Sequence, residues 1–231
     1  DDGLLYGVFN DTQLCRYSVR RYSYSDKYTL TAESNRVGSY LTMALAPDRL
    51  FVVDESPSSI ICFNRTTLSV KFVFAKSRYM WTDIDVCDDE LFACCFDTNC
   101  INVFTIDGQP KHIIQGGEMS FAQPGHVVHV NSRLYVVESC CDSIDAGSLD
   151  ETNYPLMTQR AFDDFCKTYN KRVFVFTPSG VLLQVYKMPE TLDLYNGSDD
   201  IISVFATDDE LVLHGYNGRS RQSTLYFLRG I

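Results

Sequence analysis

No uninterrupted apolar run in the sequence approaches the roughly 20 residues that a membrane-spanning helix needs, so no membrane span is expected. Positive charge is also scarce: 20 Lys and Arg stand against 30 Asp and Glu, for a formal net charge of -10. Binding to a phosphate backbone draws most of its energy from clustered Lys and Arg. The densest groups here are only Arg16, Arg20 and Arg21, and the pair Arg219 and Arg221. Both read as solvated faces, and nucleic acid is a disfavoured partner. Gly-x-Ser-x-Gly, His-Glu-x-x-His, Cys-x-x-Cys and a phosphate-cradling Gly loop are all missing. No catalytic residue, metal ligand or cofactor is therefore expected from local motifs. His126 and His129 are an odd number apart on a strand, so they are expected to face opposite ways and to make a poor metal pair. The opening Asp1-Asp2-Gly3 is the opposite of a signal peptide, although a mature secreted chain would start in the same way.

What the chain has is a core and a repeat. Its composition is 45% hydrophobic and 13% aromatic over 231 residues, enough to bury a substantial interior. Four stretches resemble one another: Arg49-Leu50-Phe51-Val52-Val53-Asp54, Glu90-Leu91-Phe92-Ala93-Cys94-Cys95, Arg133-Leu134-Tyr135-Val136-Val137-Glu138 and Glu210-Leu211-Val212-Leu213-His214. Each follows a polar turn and an earlier strand-like run, so each is expected to be the second arm of an equivalent hairpin. Leu50 to Leu91 is 41 residues and Leu91 to Leu134 is 43, a period that suits four-stranded propeller blades. Runs such as Ile60-Ile61-Cys62-Phe63 and Val173-Phe174-Val175-Phe176 suit strands buried on both faces. The expected fold is all-β: a β-propeller of four-stranded blades, one domain over residues 1–231. About 18 strands can be counted, which favours five blades, two of them three-stranded. Six blades, incomplete or completed by another segment, is the alternative. An unclosed ring would leave strand edges through which the chain could assemble with another.

The run Phe121-Ala122-Gln123-Pro124-Gly125-His126-Val127-Val128-His129-Val130, followed by Arg133 to Ser139 and Arg172 to Gly180, resembles an NHL repeat. The shared pattern is a Pro-Gly start, a leucine-aromatic-valine-valine-acid-serine arm and an aromatic-valine-phenylalanine strand ending in a Gly turn. Residues 50–56 and 101–108 carry it more loosely. The resemblance implies a propeller, with six blades common. It also implies that related domains include RNA binders with a basic face and enzymes that hold a metal in the axial channel. Asp54, Glu138 and His214 occupy similar strand-end positions that could converge there, but a structural hydrogen-bonding role is the expected one.

From Leu134 to Leu211 the spacing nearly doubles, which marks an insertion at about residues 142–170 between two strands of one blade. Within it, Thr152-Asn153-Tyr154-Pro155 starts a helix expected over residues 156–169, with Phe162, Phe165, Cys166 and Tyr169 on one face. Its outer surface is acidic. Cys140 or Cys141 could pair with Cys166 in a disulfide at the base of this loop. Asn10, Asn64 and Asn196 open glycosylation sequons in predicted loops. Together these features lean to an extracellular or secreted setting over a cytoplasmic one.

The expected function is a non-catalytic interaction scaffold that binds a protein partner through its loops and acidic insertion. Tyr79 and Trp81, at a strand-entry loop, and Phe162, Asp163, Asp164 and Phe165 on the insertion are the candidate partner-binding residues. An RNA-binding domain and a channel-metal enzyme of lyase or lactonase type are the alternatives.

Overall fold

The computed structural model describes residues 4–9, 13–18, 23–29, 40–55, 58–115, 124–138, 172–187, 199–207, 210–217 and 222–229. They form 18 β-strands in five sheets and no helix. The chain divides into two compact units, Asp1–Trp81 and Thr82–Ile231.

In the first unit, β1 (Leu4–Phe9), β2 (Gln13–Ser18) and β3 (Ser23–Thr29) form a three-stranded sheet. β4 (Tyr40–Leu45), β5 (Arg49–Glu55), β6 (Ser58–Asn64) and β7 (Val70–Phe74) form a four-stranded one. The second unit holds two four-stranded sheets and one three-stranded sheet. These are β8 (Trp81–Cys87), β9 (Glu90–Cys95), β10 (Cys100–Thr105) and β11 (Pro110–Ile114); β12 (Pro124–Val130), β13 (Arg133–Glu138), β14 (Arg172–Phe176) and β15 (Leu182–Lys187); and β16 (Asp199–Ala206), β17 (Glu210–Asn217) and β18 (Gln222–Arg229). Every sheet is an antiparallel meander, each strand bonded to its sequence neighbour. The expected strand count and the split between three- and four-stranded sheets are both found.

The turns explain the meander. Val130 pairs with Arg133, leaving Asn131 and Ser132 as a two-residue loop, and both have positive φ, 49° and 59°. That is the type I′ geometry whose twist matches a β-hairpin, and Asn tolerates it better than most residues. Asp88 adopts φ 50° in the equivalent turn before β9. The amides of Ala46 and Thr207 close the other two look-alike hairpins on the carbonyls of Arg49 and Glu210. Leu50, Leu91, Leu134 and Leu211, the repeated leucines, are all 0% exposed.

Alternation then sends each strand's residues to two interiors. On β13 and β14, Leu134, Val136, Phe174 and Phe176 pack with Phe92, Cys94, Ile101 and Ile114 of the preceding sheet. The residues between them, Tyr135, Val137, Val173 and Val175, pack with Leu211 and Leu213 of the following sheet. Side chains on a strand point alternately to opposite faces, so a sheet covered on both sides must be apolar at every position. Burial of each large side chain contributes about 1.5–3 kcal/mol. Gly180, in the β14–β15 turn, has φ +89°, and a Cβ there would lie 3.0 Å from Cγ1 of Ile114 on the neighbouring sheet. Only glycine satisfies both conditions.

The excursion between β13 and β14 covers residues 139–171. The insertion at 142–170, its expected helix, and Cys140, Cys141, Cys166, Phe162, Asp163, Asp164 and Phe165 lie outside the described residues, as do Asn10 and Asn196.

Candidate functional site

Of the candidate partner-binding residues, Tyr79 and Trp81 are described, and they differ. Trp81 is 5% exposed, and its indole nitrogen donates to the Ala75 carbonyl at 2.9 Å. Trp81 is the last residue of the first unit, and its one side-chain polar atom is used within that unit. Tyr79 is half-buried; Arg78 donates to its hydroxyl at 2.8 Å and lies 4.9 Å from its ring centroid. Asn64 sits at the start of the β6–β7 turn, where its side-chain oxygen accepts the Thr66 and Thr67 amides at 3.0 and 2.9 Å. The described cysteines, Cys62, Cys87, Cys94, Cys95 and Cys100, are thiols and not disulfides.

The structure assembles two polar constellations. The first is a seam between β8 and β12, the first strands of their sheets. Residues two apart on β8 share a face, and Asp83, Asp85 and Cys87 use theirs to meet β12. Asp83 accepts the Val127 amide at 3.1 Å and lies 3.3 Å from Nδ1 of His126. Asp85 accepts the His129 amide at 2.5 Å, and Thr82 donates to the Pro124 carbonyl at 3.0 Å. Cys87 Sγ is 3.1 Å from Nε2 of His129. The two histidines thus serve separate points of the seam.

Burial sets the protonation states here. Desolvation pushes the Asp85 carboxyl up to about 6 despite the amides of His129 and Val86. Burial, then the neighbouring Asp88 carboxylate, pushes the Cys87 thiol up to about 11. Burial also lowers His129. Cys87 and His129 are therefore a thiol beside a neutral imidazole, the opposite of the thiolate–imidazolium pair that a nucleophilic cysteine needs.

The second constellation repeats in the three four-stranded sheets, where the second strand ends and the third begins. Four residues after Leu50, Leu91 and Leu134 stand Asp54, Cys95 and Glu138. Their cross-strand partners are Ser59, Cys100 and, continuing the Val137–Val173 register, Arg172. All six residues are buried. In the last sheet the equivalent position is Gly215 opposite Thr224, so His214 falls one residue short of it. Glu138 is held by Arg172 through two bonds, Nε to Oε2 at 2.8 Å and Nη2 to Oε1 at 2.5 Å. The guanidinium also lies 4.8 Å from the Phe174 ring centroid. Glu138 thus tethers the base of the 139–171 excursion. Asp54 and Glu138 could be picked out from the sequence. Cys95 could have been found by the same count from Leu91, and Cys100 by carrying the register across a four-residue turn.

Among the described residues, no group of three or more His, Cys, Asp or Glu is arranged to hold a metal ion. No described helix is long and apolar enough to cross a membrane. Meander sheets stacked through alternating faces are the construction of a β-propeller, and the fold is of that class. No family model matches the sequence, and no curated protein matches it at a significant level. Solved structures do. The chain is similar to a structure of U3-55K at 10% identity, with a TM-score of 0.63 covering 99% of this chain and 61% of that one. The RRP9 WD40 repeats match at 11% identity and TM-score 0.61, covering 99% and 60%. Kuenenia stuttgartiensis hydrazine synthase matches at 12% identity and TM-score 0.50, covering 87% and 53%. At these identities the likeness concerns the fold alone. The chain spans at most about three-fifths of the length of these structures.

Proposed function

We propose that the chain is a non-catalytic β-propeller scaffold that binds a protein partner. One observation carries this reading: among the described residues, the last sheet has an apolar face whose large side chains are exposed. Phe205 pairs with Val212 and Val212 with Phe227, and in the next row His214 pairs with Leu225. These residues share one face. On it Phe205, Leu225 and Phe227 are 56%, 53% and 52% exposed, whereas the opposite face is packed on Tyr135, Val137, Val173 and Val175. A contiguous exposed apolar patch with aromatic members is the kind of surface that protein partners bury. Among the described residues β18 is also the edge of its sheet, at the place where the three four-stranded sheets go on to a fourth strand. The seam groups support the non-catalytic half of the proposal, because Asp83 and Asp85 are engaged by the amides of β12 and Cys87 is held as a thiol.

The partner is a protein that presents apolar side chains to this face, with Tyr79 and the 162–165 segment as further contacts. That the chain is one domain over residues 1–231, with an insertion at 142–170, and that its repeats are of the NHL type, belong to the same proposal. The pattern from Pro124 to Gly180 supports the last point. The test is affinity purification of the wild-type chain and of a Leu225→Asp, Phe227→Asp variant from the native source, with cross-links mapped to β16–β18. The expected result is a chain cross-linked to the wild type and lost from the variant. Equal recovery by both would overturn the reading.

A further inference from the structure

Cys95 ends β9 and Cys100 opens β10, and the two stand directly opposite each other in the ladder. Opposed residues on antiparallel strands have Cα atoms roughly 4.5–5.5 Å apart, within the span a disulfide bridges without moving the backbone. Their thiols already meet, Cys95 donating to the Cys100 sulfur. That sulfur has two further neighbours: Thr98 Oγ1 at 3.0 Å and the Asn102 amide, which donates at 3.3 Å. The Asn102 amide, and the Thr98 hydroxyl when it turns its proton to the sulfur, favour the Cys100 thiolate. The Cys95 hydrogen bond is the largest of the causes that lower Cys100 below the ordinary thiol range, while Cys95 is raised.

The other described cysteines lack this arrangement. Cys94 points to the opposite face, into the core shared with the next sheet, where burial raises it well above its ordinary value. Cys87 is occupied with His129 and stays a thiol. Cys95 and Cys100 are 1% and 4% exposed and flank the short turn of residues 96–99, in which Asp97 and Thr98 are exposed.

We propose that Cys95 and Cys100 form a site of reversible oxidation by a hydroperoxide, closing a cross-strand disulfide at the tip of the β9–β10 hairpin. The Cys100 thiolate attacks one peroxide oxygen and the O–O bond breaks. Cys100 becomes a sulfenic acid, and the hydroxide released takes up a proton from solvent. The Cys95 sulfur then attacks the Cys100 sulfur and the S–O bond breaks. The departing hydroxide leaves as water with the Cys95 proton. Two thiols lose two electrons, and one hydrogen peroxide becomes two waters.

The test treats the purified, reduced full chain with hydrogen peroxide, alkylates the remaining thiols and locates the modified residues by fragment mass spectrometry. The expected product is 2 Da lighter, with the link at Cys95–Cys100, and reverts with dithiothreitol. Cys95→Ser should trap the sulfenic acid at Cys100, where dimedone captures it. Cys100→Ser should slow oxidation of Cys95 by about tenfold or more, because the thiolate is the nucleophile. Thr98→Ala removes one neighbour, leaves both cysteines in place and should slow the reaction severalfold. It guards against misfolding of the cysteine variants. The proposal is overturned if Cys87 or Cys94 oxidises as fast as Cys100, if no Cys95–Cys100 link forms, or if Thr98→Ala reacts at the wild-type rate.

Discussion

The β8–β11 and β12–β15 sheets place different chemistry at one structural position. Four residues past its repeated leucine, the first carries Cys95 opposite Cys100, and the second carries Glu138 opposite Arg172. Both pairs are buried and both join the second strand to the third. They close different loops: residues 96–99 in one case, 139–171 in the other. Loop-closure entropy rises with length, so the longer excursion has more need of a tether that is always present. A bidentate ion pair supplies one, while a dithiol supplies one that depends on redox conditions. The scaffold fixes where a tether goes, and the side chains decide when it holds.

The largest expected effect comes from breaking the ion pair. Glu138→Ala leaves the Arg172 charge buried without its partner and should cost about 3–5 kcal/mol in denaturant unfolding. Replacing both with Glu138→Leu and Arg172→Met should recover most of that loss. If the single and double variants are equally unstable, the pair is not the tether.

The seam between the same two sheets should respond to pH. Asp85 has a folded value of about 6, above its ordinary 3.8. A carboxyl raised on folding contributes stability that is complete below its unfolded value and is lost as pH rises through its folded value. Its part of the stability should therefore fall between about pH 4 and pH 6, by on the order of 3 kcal/mol at most. Thermal melts of the wild type and Asp85→Asn across this range should differ by that slope, and parallel curves would remove the assignment.

Oxidising Cys95 and Cys100 should make the first tether resemble the second. The loop closed is short, so chain entropy limits the gain to about 2 kcal/mol. Urea midpoints of oxidised and reduced protein, compared with the same pair for Cys95→Ser, would measure it. Gly180→Ala should cost roughly 1–2 kcal/mol, because a side chain at φ +89° is strained and its Cβ meets Ile114. An equal cost in an Ile114→Ala background, which removes both γ carbons that the new Cβ would meet, would show that the backbone, and not the contact between sheets, is responsible. The smallest effect belongs to Phe227→Asp, within about 0.5 kcal/mol, because that side chain is exposed and should alter binding and not folding.

Much of the architecture can be read from local pattern. The leucine period, the polar turns and the double-sided apolar runs follow from sterics and strand alternation, which act over a few residues. The same count placed Asp54 and Glu138 at matching strand ends. Taken from Leu211 it leads to Gly215, so His214 lies one residue off the matching position, as the β17–β18 register also shows. Trp81 looked like a surface anchor because it stands at a strand entry; its burial depends on the turn at Ala75, which no periodicity reports.

The sequence by itself therefore determined the strands, the hairpins and the class of fold, since a strand's two faces and a turn's backbone preferences are properties of neighbouring residues. Only the tertiary structure decided which polar groups meet: Asp85 with the β12 backbone, Glu138 with Arg172, Cys100 with Cys95 and Thr98, and the last sheet's outer face with solvent. Those pairings depend on which strand lies alongside and how deeply water is excluded. Both are set by long-range packing, and the pattern within one strand does not carry them.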